Sequence, residues 1–157
     1  MIDPAIGALL AGAFALLFGS AALHKLRSLQ RFAEMFHAYR LLPVSAARLS
    51  WLVPALELTV GVGLLARRSR AGACAAGAAL LVAYAVAIAI NLQRGRRDLA
   101  CGCGGPDERR PIAPWMVWRN LLLAGLLAVM LLPWIARPMA AADAVTIGAG
   151  TAVAALL

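Results

Sequence analysis

Two of the chain's three cysteines, Cys101 and Cys103, stand one glycine apart in the stretch RDLACGCGGPDERR at 97–110. Everything around them is charge or turn residue, whereas a cysteine kept for packing is buried among apolar neighbours. Such a pair suits reaction or ligation. The thiolate is the reactive form, and nearby cations favour it; Arg94, Arg96, Arg97, Arg109 and Arg110 flank the motif, partly offset by Asp98, Asp107 and Glu108. A disulfide across one intervening residue closes a small, strained ring, and strained disulfides are the readily exchanged ones. Glycine at 102 eases the backbone of that ring. Two close thiolates also suit Cu(I) or Zn, but a closed zinc site takes four ligands, and no third Cys or His stands near. Two exposed thiols without a role are the plainest alternative. A redox pair is the preferred reading.

A second set of polar residues lies in or beside apolar runs, where an ionisable group is costly and marks a site or a pair. Glu57 falls near the middle of the second run. Arg119 and Asn120 lie one turn into the fourth, and His24 and Lys25 end the first. The expectation is a buried pair of Glu57 with Lys25 or Arg119, which either shapes a site beneath the cysteines or fixes helix register.

The elements that must position these residues follow from composition. The chain has 157 residues, 63% hydrophobic and 14% charged, with a mean hydropathy of +0.83. Residues 5–23, 49–66, 71–92 and 115–135 are runs of 18–22 residues carrying at most one charge each. A helix crossing a hydrocarbon core of roughly 30 Å needs about 20 apolar residues. No segment alternates in the manner of a barrel strand. The reading is all-α: one integral membrane domain over 1–157 built as a four-helix bundle, with 140–157 as a candidate fifth helix. The first run has no basic residue before it, so it reads as a span rather than a leader, although SAALHK at 20–25 offers a weak cleavage pattern. Between the first two spans, Leu29, Phe32, Phe36 and Tyr39 recur at helical spacing. They predict an amphipathic helix in the membrane interface, stopped by Pro43. It is either a self-anchoring linker or a cover over a site at the membrane surface. Cys74 falls among small residues that let helices approach closely, and reads as a packing residue. The net charge of +8 is explained by Arg and Lys flanking spans. No basic stripe interleaved with aromatics is present, so nucleic-acid binding is excluded.

The combination of FGSAALHKLRSLQRF at 18–32, LLP at 41–43, PALELTVGVGLL at 54–65, CGCGG at 101–105 and WRNLLLA at 118–124 resembles the methylamine utilisation protein MauE family, within the wider DoxX-like group of four-helix membrane proteins. The resemblance covers about residues 12–135. It implies a redox-associated protein of the bacterial inner membrane that supports maturation of methylamine dehydrogenase, whose small subunit carries many disulfides. It also implies a periplasmic thioredoxin-like partner, with Cys101 and Cys103 exchanging thiols and disulfides with it. A bundle with loop cysteines is also similar to enzymes of the vitamin K epoxide reductase kind. Those use a quinone and two cysteine pairs. This chain has one pair and no residue that requires a quinone, which suits exchange with a partner. Orientation is contested within the sequence. The loops after spans one and three hold ten Lys and Arg against four on the opposite side, which by the positive-inside rule puts the cysteines in the cytoplasm. The resemblance implies the periplasmic side, and that orientation is adopted.

Overall fold

The computed structural model describes residues 3–41, 49–99, 111–132, 143 and 148–150. Among them there is no strand. The helices are α1 (Pro4–Arg27), α2 (Leu29–Ala38), α3 (Leu52–Leu65), α4 (Arg70–Gln93) and α5 (Pro114–Val129). Local chemistry sets several ends. The Asp3 carboxylate accepts from the Ala5 amide at 2.9 Å with proline at the first helical position of α1, an arrangement that satisfies an orphan donor and pre-sets φ. Pro114 likewise pre-sets φ at the start of α5, there without a side-chain cap. At the α3–α4 turn, the Ser69 hydroxyl donates to the Gly63 carbonyl (2.9 Å) and the Arg70 guanidinium to the Leu64 carbonyl (3.0 Å). Carbonyls that α3 leaves unpaired at its end are met there.

Sequential neighbours pack together: α1 on α3, α3 on α4, α4 on α5, with α2 lying against the end of α1. The helices meet around Gly77 of α4. A Cβ there would stand 3.0 Å from Leu127 of α5, 3.0 Å from Val60 of α3 and 3.2 Å from Phe18 of α1. Hydrogen in place of a side chain is what lets four helices share one point. Gly61 brings α3 close to α1 similarly, its Cβ position 3.2 Å from the Ala15 carbonyl oxygen. One apolar cluster, including Phe14, Phe18, Leu64, Leu81 and Leu127, fills the middle and the turn end. It holds Cys74, fully buried and unpaired to any other cysteine. A second cluster of Tyr39, Ile88, Leu99, Ile112 and Met116 closes the opposite end.

The helices are shorter than two of the expected spans. α1 and α4 have 24 residues each and are long and apolar enough to cross a membrane, about 36 Å at 1.5 Å per residue. α3 has 14 residues and α5 has 16. α3 begins only after a turn through Ser50 and Trp51 and stops where Ala66 turns extended. Glu57 is the sixth of the 14 residues of α3 and so lies near the middle of that helix, as expected. The later part of the 115–135 run, Pro43, Cys101 and Cys103 lie outside the described residues. So does most of 140–157; there Asp143 and 148–150 are helical. The expected amphipathic helix between the first two runs is present as α2. Its inner face is Phe32 and Tyr39, with Met35 and Ala38 against the second cluster. Leu29, expected on that face, is exposed.

Candidate functional site

Where α1, α3 and α4 approach the loop end, three polar side chains close on one another. Lys25 Nζ donates to both oxygens of Glu57, at 2.7 and 2.9 Å. The Tyr84 hydroxyl donates to Glu57 Oε1 at 2.8 Å. Lys25 is 5% exposed and Glu57 1%. The spacing follows from antiparallel packing. On α4, Leu81 belongs to the central cluster, Tyr84 to the polar group and Ile88 to the end cluster, each about one turn from the last. The aromatic faces of Phe32 and Tyr84 lie 5.6 and 5.7 Å from Lys25 Nζ. That distance lets a cation interact with ring quadrupoles instead of water. Phe32 comes from α2, so α2 covers the group. A buried ion pair survives only with close geometry and its remaining hydrogen-bonding capacity met. Both conditions are satisfied here.

A second polar arrangement lies at the C-terminus of α4. Gly95 adopts φ +74°, the left-handed conformation open to glycine. The Gly95 amide donates to the Leu92 carbonyl and the Arg96 amide to the Asn91 carbonyl, both at 3.0 Å. This is the Schellman pattern that ends helices with a glycine. The Arg96 guanidinium then donates from Nη1 to Asn91 Oδ1 (3.0 Å) and from Nη2 to the Ala38 carbonyl at the end of α2 (2.6 Å). Arg94 donates to the Arg40 carbonyl at 3.3 Å. Arg40 itself has φ 48°, an uncommon state for a residue with a Cβ. Three residues beyond Arg96, the Leu99 carbonyl accepts from the Ile112 amide at 2.9 Å, and both side chains are buried in the end cluster. Leu99 and Ile112, which flank residues 100–111 in sequence, are thus joined at one closed neck. Tyr39, in the same cluster, has its hydroxyl pushed by burial up to about 12 and stays protonated.

Of the two cations considered for Glu57, Lys25 makes the pair. Arg119 stacks over the Trp115 ring at 5.3 Å, and its buried Nε has no hydrogen-bond partner. Asn120 is buried, but its amide donates to the Met116 carbonyl of its own helix at 2.7 Å. His24 is half-buried, and its carbonyl accepts from the Ser28 hydroxyl. Lys25, Glu57, the neck and the start of α5 lie toward the same end of the molecule. Tyr84 and Asn91 are not marked out by the sequence. Arg94 and Arg96 were counted there as cations beside the thiols, whereas the structure spends both on carbonyls of α2's end. The spacing of Asn91, Gly95 and Arg96 carries the helix-stop signal that would have pointed to this.

Among the described residues, no group of three or more His, Cys, Asp or Glu converges in a manner suited to a metal. A quinone would need a polar group aimed into open space. Lys25, Glu57 and Tyr84 are directed at one another instead, so this group does not fit a quinone.

The family profile described as methylamine utilisation protein MauE matches residues 3–133. Among curated proteins, the chain is 37% identical to the methylamine utilization protein MauE of Paracoccus denitrificans over 113 residues, 71% of this chain and 61% of that one. It is 39% identical to that of Paracoccus versutus over 147 residues, 92% of this chain and 78% of that one. It is 32% identical to that of Methylorubrum extorquens over 157 residues, 99% and 83% respectively. The match to the first of these thus spans less than two thirds of the relative's length. No solved structure matches.

Proposed function

We propose a function from one premise: the chain belongs to the methylamine utilisation protein MauE family. The proposal is a multi-pass inner-membrane protein in which α1, α3, α4 and α5 form a four-helix bundle and α2 lies at the interface. Its cysteine loop exchanges thiols and disulfides with a thioredoxin-like periplasmic protein. The service is maturation of an extracytoplasmic client, the disulfide-rich small subunit of methylamine dehydrogenase, for methylamine use.

The distribution of side chains supports membrane residence. Leucines and valines such as Leu58, Val62, Val86, Leu122 and Val129 are exposed on the outside, while Lys25, Glu57, Asn91 and Asn120 are buried. A helix apolar on all sides suits a lipid surround. The placement of Arg94 and Arg96 on α2's carbonyls gives two of the ten loop-end cations a local reason to be there. That weakens the charge count against a periplasmic loop.

The single observation that carries the exchange reading is the neck. The Leu99–Ile112 hydrogen bond, sealed in the end cluster, fixes both ends of the segment that bears the CGC motif on a packed base. Cys101 follows Leu99 by two residues. A thiolate of the pair attacks one sulfur of the partner's disulfide, forming a mixed disulfide and releasing a partner thiolate that takes up a proton. The second cysteine, giving up its proton, then attacks this chain's own sulfur in the mixed disulfide and expels the partner's second thiolate, which takes up a proton. Two electrons pass to the partner and a Cys101–Cys103 disulfide remains; the same steps run in reverse oxidise the partner.

Trapping tests it. With Cys103→Ser or Cys101→Ser, the mixed disulfide is not resolved from this side. With the partner supplied in its disulfide form and the thiol it releases alkylated on quenching, a covalent complex is expected that dithiothreitol dissolves. Absence of a complex from both single variants contradicts the proposal.

A further inference from the structure

The stem of the cysteine loop is fastened to α2 as well as to α4. After the turn at Gly95, the Arg96 backbone amide is held by the Asn91 carbonyl, and its guanidinium bridges Asn91 Oδ1 and the Ala38 carbonyl, 58 positions away in sequence. Asn91 is fully buried. Its Nδ2 already donates to the Ala87 carbonyl at 3.0 Å, so Oδ1 is the atom it turns toward Arg96. The Ala38 carbonyl belongs to the last turn of α2, where helix carbonyls lack partners within the helix. A planar guanidinium meets two acceptors at once, which a lysine ammonium on a flexible stem does not reproduce. Arg94 adds a second strap to the Arg40 carbonyl. The neck at Leu99 and Ile112 shares its apolar cluster with Tyr39, the residue that caps α2.

We infer that Arg96 is a positioning residue whose two-acceptor fork joins α2 to the stem of the cysteine loop, so that α2 and the loop neck hold one another in place. A partner that grips α2 thereby grips the neck. The coupling itself stands on described residues. Its consequence for the thiols rests on the exchange function proposed above.

The test uses the full chain in lipid nanodiscs as wild type, Arg96→Gln and Arg96→Lys. Hydrogen exchange is followed at the Ile112 amide, at the Tyr39 and Arg40 amides, and at α4 amides around Leu81 as a control. Loss of a charge-assisted bond should raise local opening about tenfold or more. The expected result is faster exchange at Ile112 and at Tyr39 and Arg40 in both variants, with the α4 control unchanged. Wild-type protection in Arg96→Lys means that charge alone suffices, and it overturns the inference. Loosening of α2 without loosening of Ile112 also overturns it, as does a loss of protection that includes the α4 control in both variants. In parallel, the ratio of oxidised to reduced Cys101–Cys103 is titrated in a glutathione buffer. Both variants should shift the midpoint in the same direction, which a purely structural loss would not do. A wild-type pair that does not titrate refutes the exchange function while the hydrogen-exchange result still decides the coupling.

Discussion

Two polar fastenings hold the loop end of this molecule, and they are built differently. The Lys25–Glu57–Tyr84 group joins three helices with a full charge on each side of the pair, sealed among apolar side chains. The Arg96 fork joins two segments with one charge and neutral acceptors, nearer the rim. The difference lies in what removal leaves behind. Deleting one partner of a buried pair strands the other charge away from water, a cost of about 3–5 kcal/mol. Deleting the fork strands only neutral acceptors, in a part-buried position, a cost of about 1–3 kcal/mol. The first arrangement sets whether the helices pack; the second sets where the loop and α2 stand.

The largest expected effect comes from separating charge from packing. Lys25→Met alone should destabilise by about 3–5 kcal/mol, whereas Lys25→Met with Glu57→Leu should recover most of it, since apolar replacement of a whole buried pair is often neutral. Unfolding in mixed micelles measures both. A double variant as unstable as the single would mean that the pair's attraction, not the stranded charge, dominates. Tyr84→Phe comes next. It removes one hydrogen bond to a carboxylate and should cost about 1.5–3 kcal/mol in the same assay, and no change would remove Tyr84 from the group. The smallest effect is expected at the rim. Gly95→Ala puts a Cβ on a residue at φ +74°, worth about 1–2 kcal/mol. Its consequence should be confined to faster hydrogen exchange in the loop stem; spread of that loss to the Lys25 end of α1 would blur the distinction between the two fastenings.

Much of the architecture was legible because long uncharged runs and proline or glycine stops are strong signals. The 71–92 run became α4 nearly residue for residue. The pairing of Glu57 with Lys25 was one of two options because both ends had to fall on one side of alternating helices. Other features were hidden for physical reasons. Tyr84 sits in a run apolar on every face, so periodicity could not say which way its hydroxyl points. α3 is shorter than its apolar run because Ser50 and Trp51 form a turn, which hydropathy does not register. Arg96 was read by charge alone, near two thiols. Its function as a donor to carbonyls depends on the fold of α2 against α4, a contact between residues far apart in sequence.

The central claim is that Cys101 and Cys103 form an exchanging pair on the outer face of the membrane. The most direct measurement is their redox state in intact cells: acid quenching followed by mass-tagging alkylation, with a membrane-impermeant thiol reagent applied to live cells in parallel. The account predicts a partly or fully oxidised pair whose reduced fraction is reached from outside. A fully reduced pair that the impermeant reagent cannot reach would contradict it.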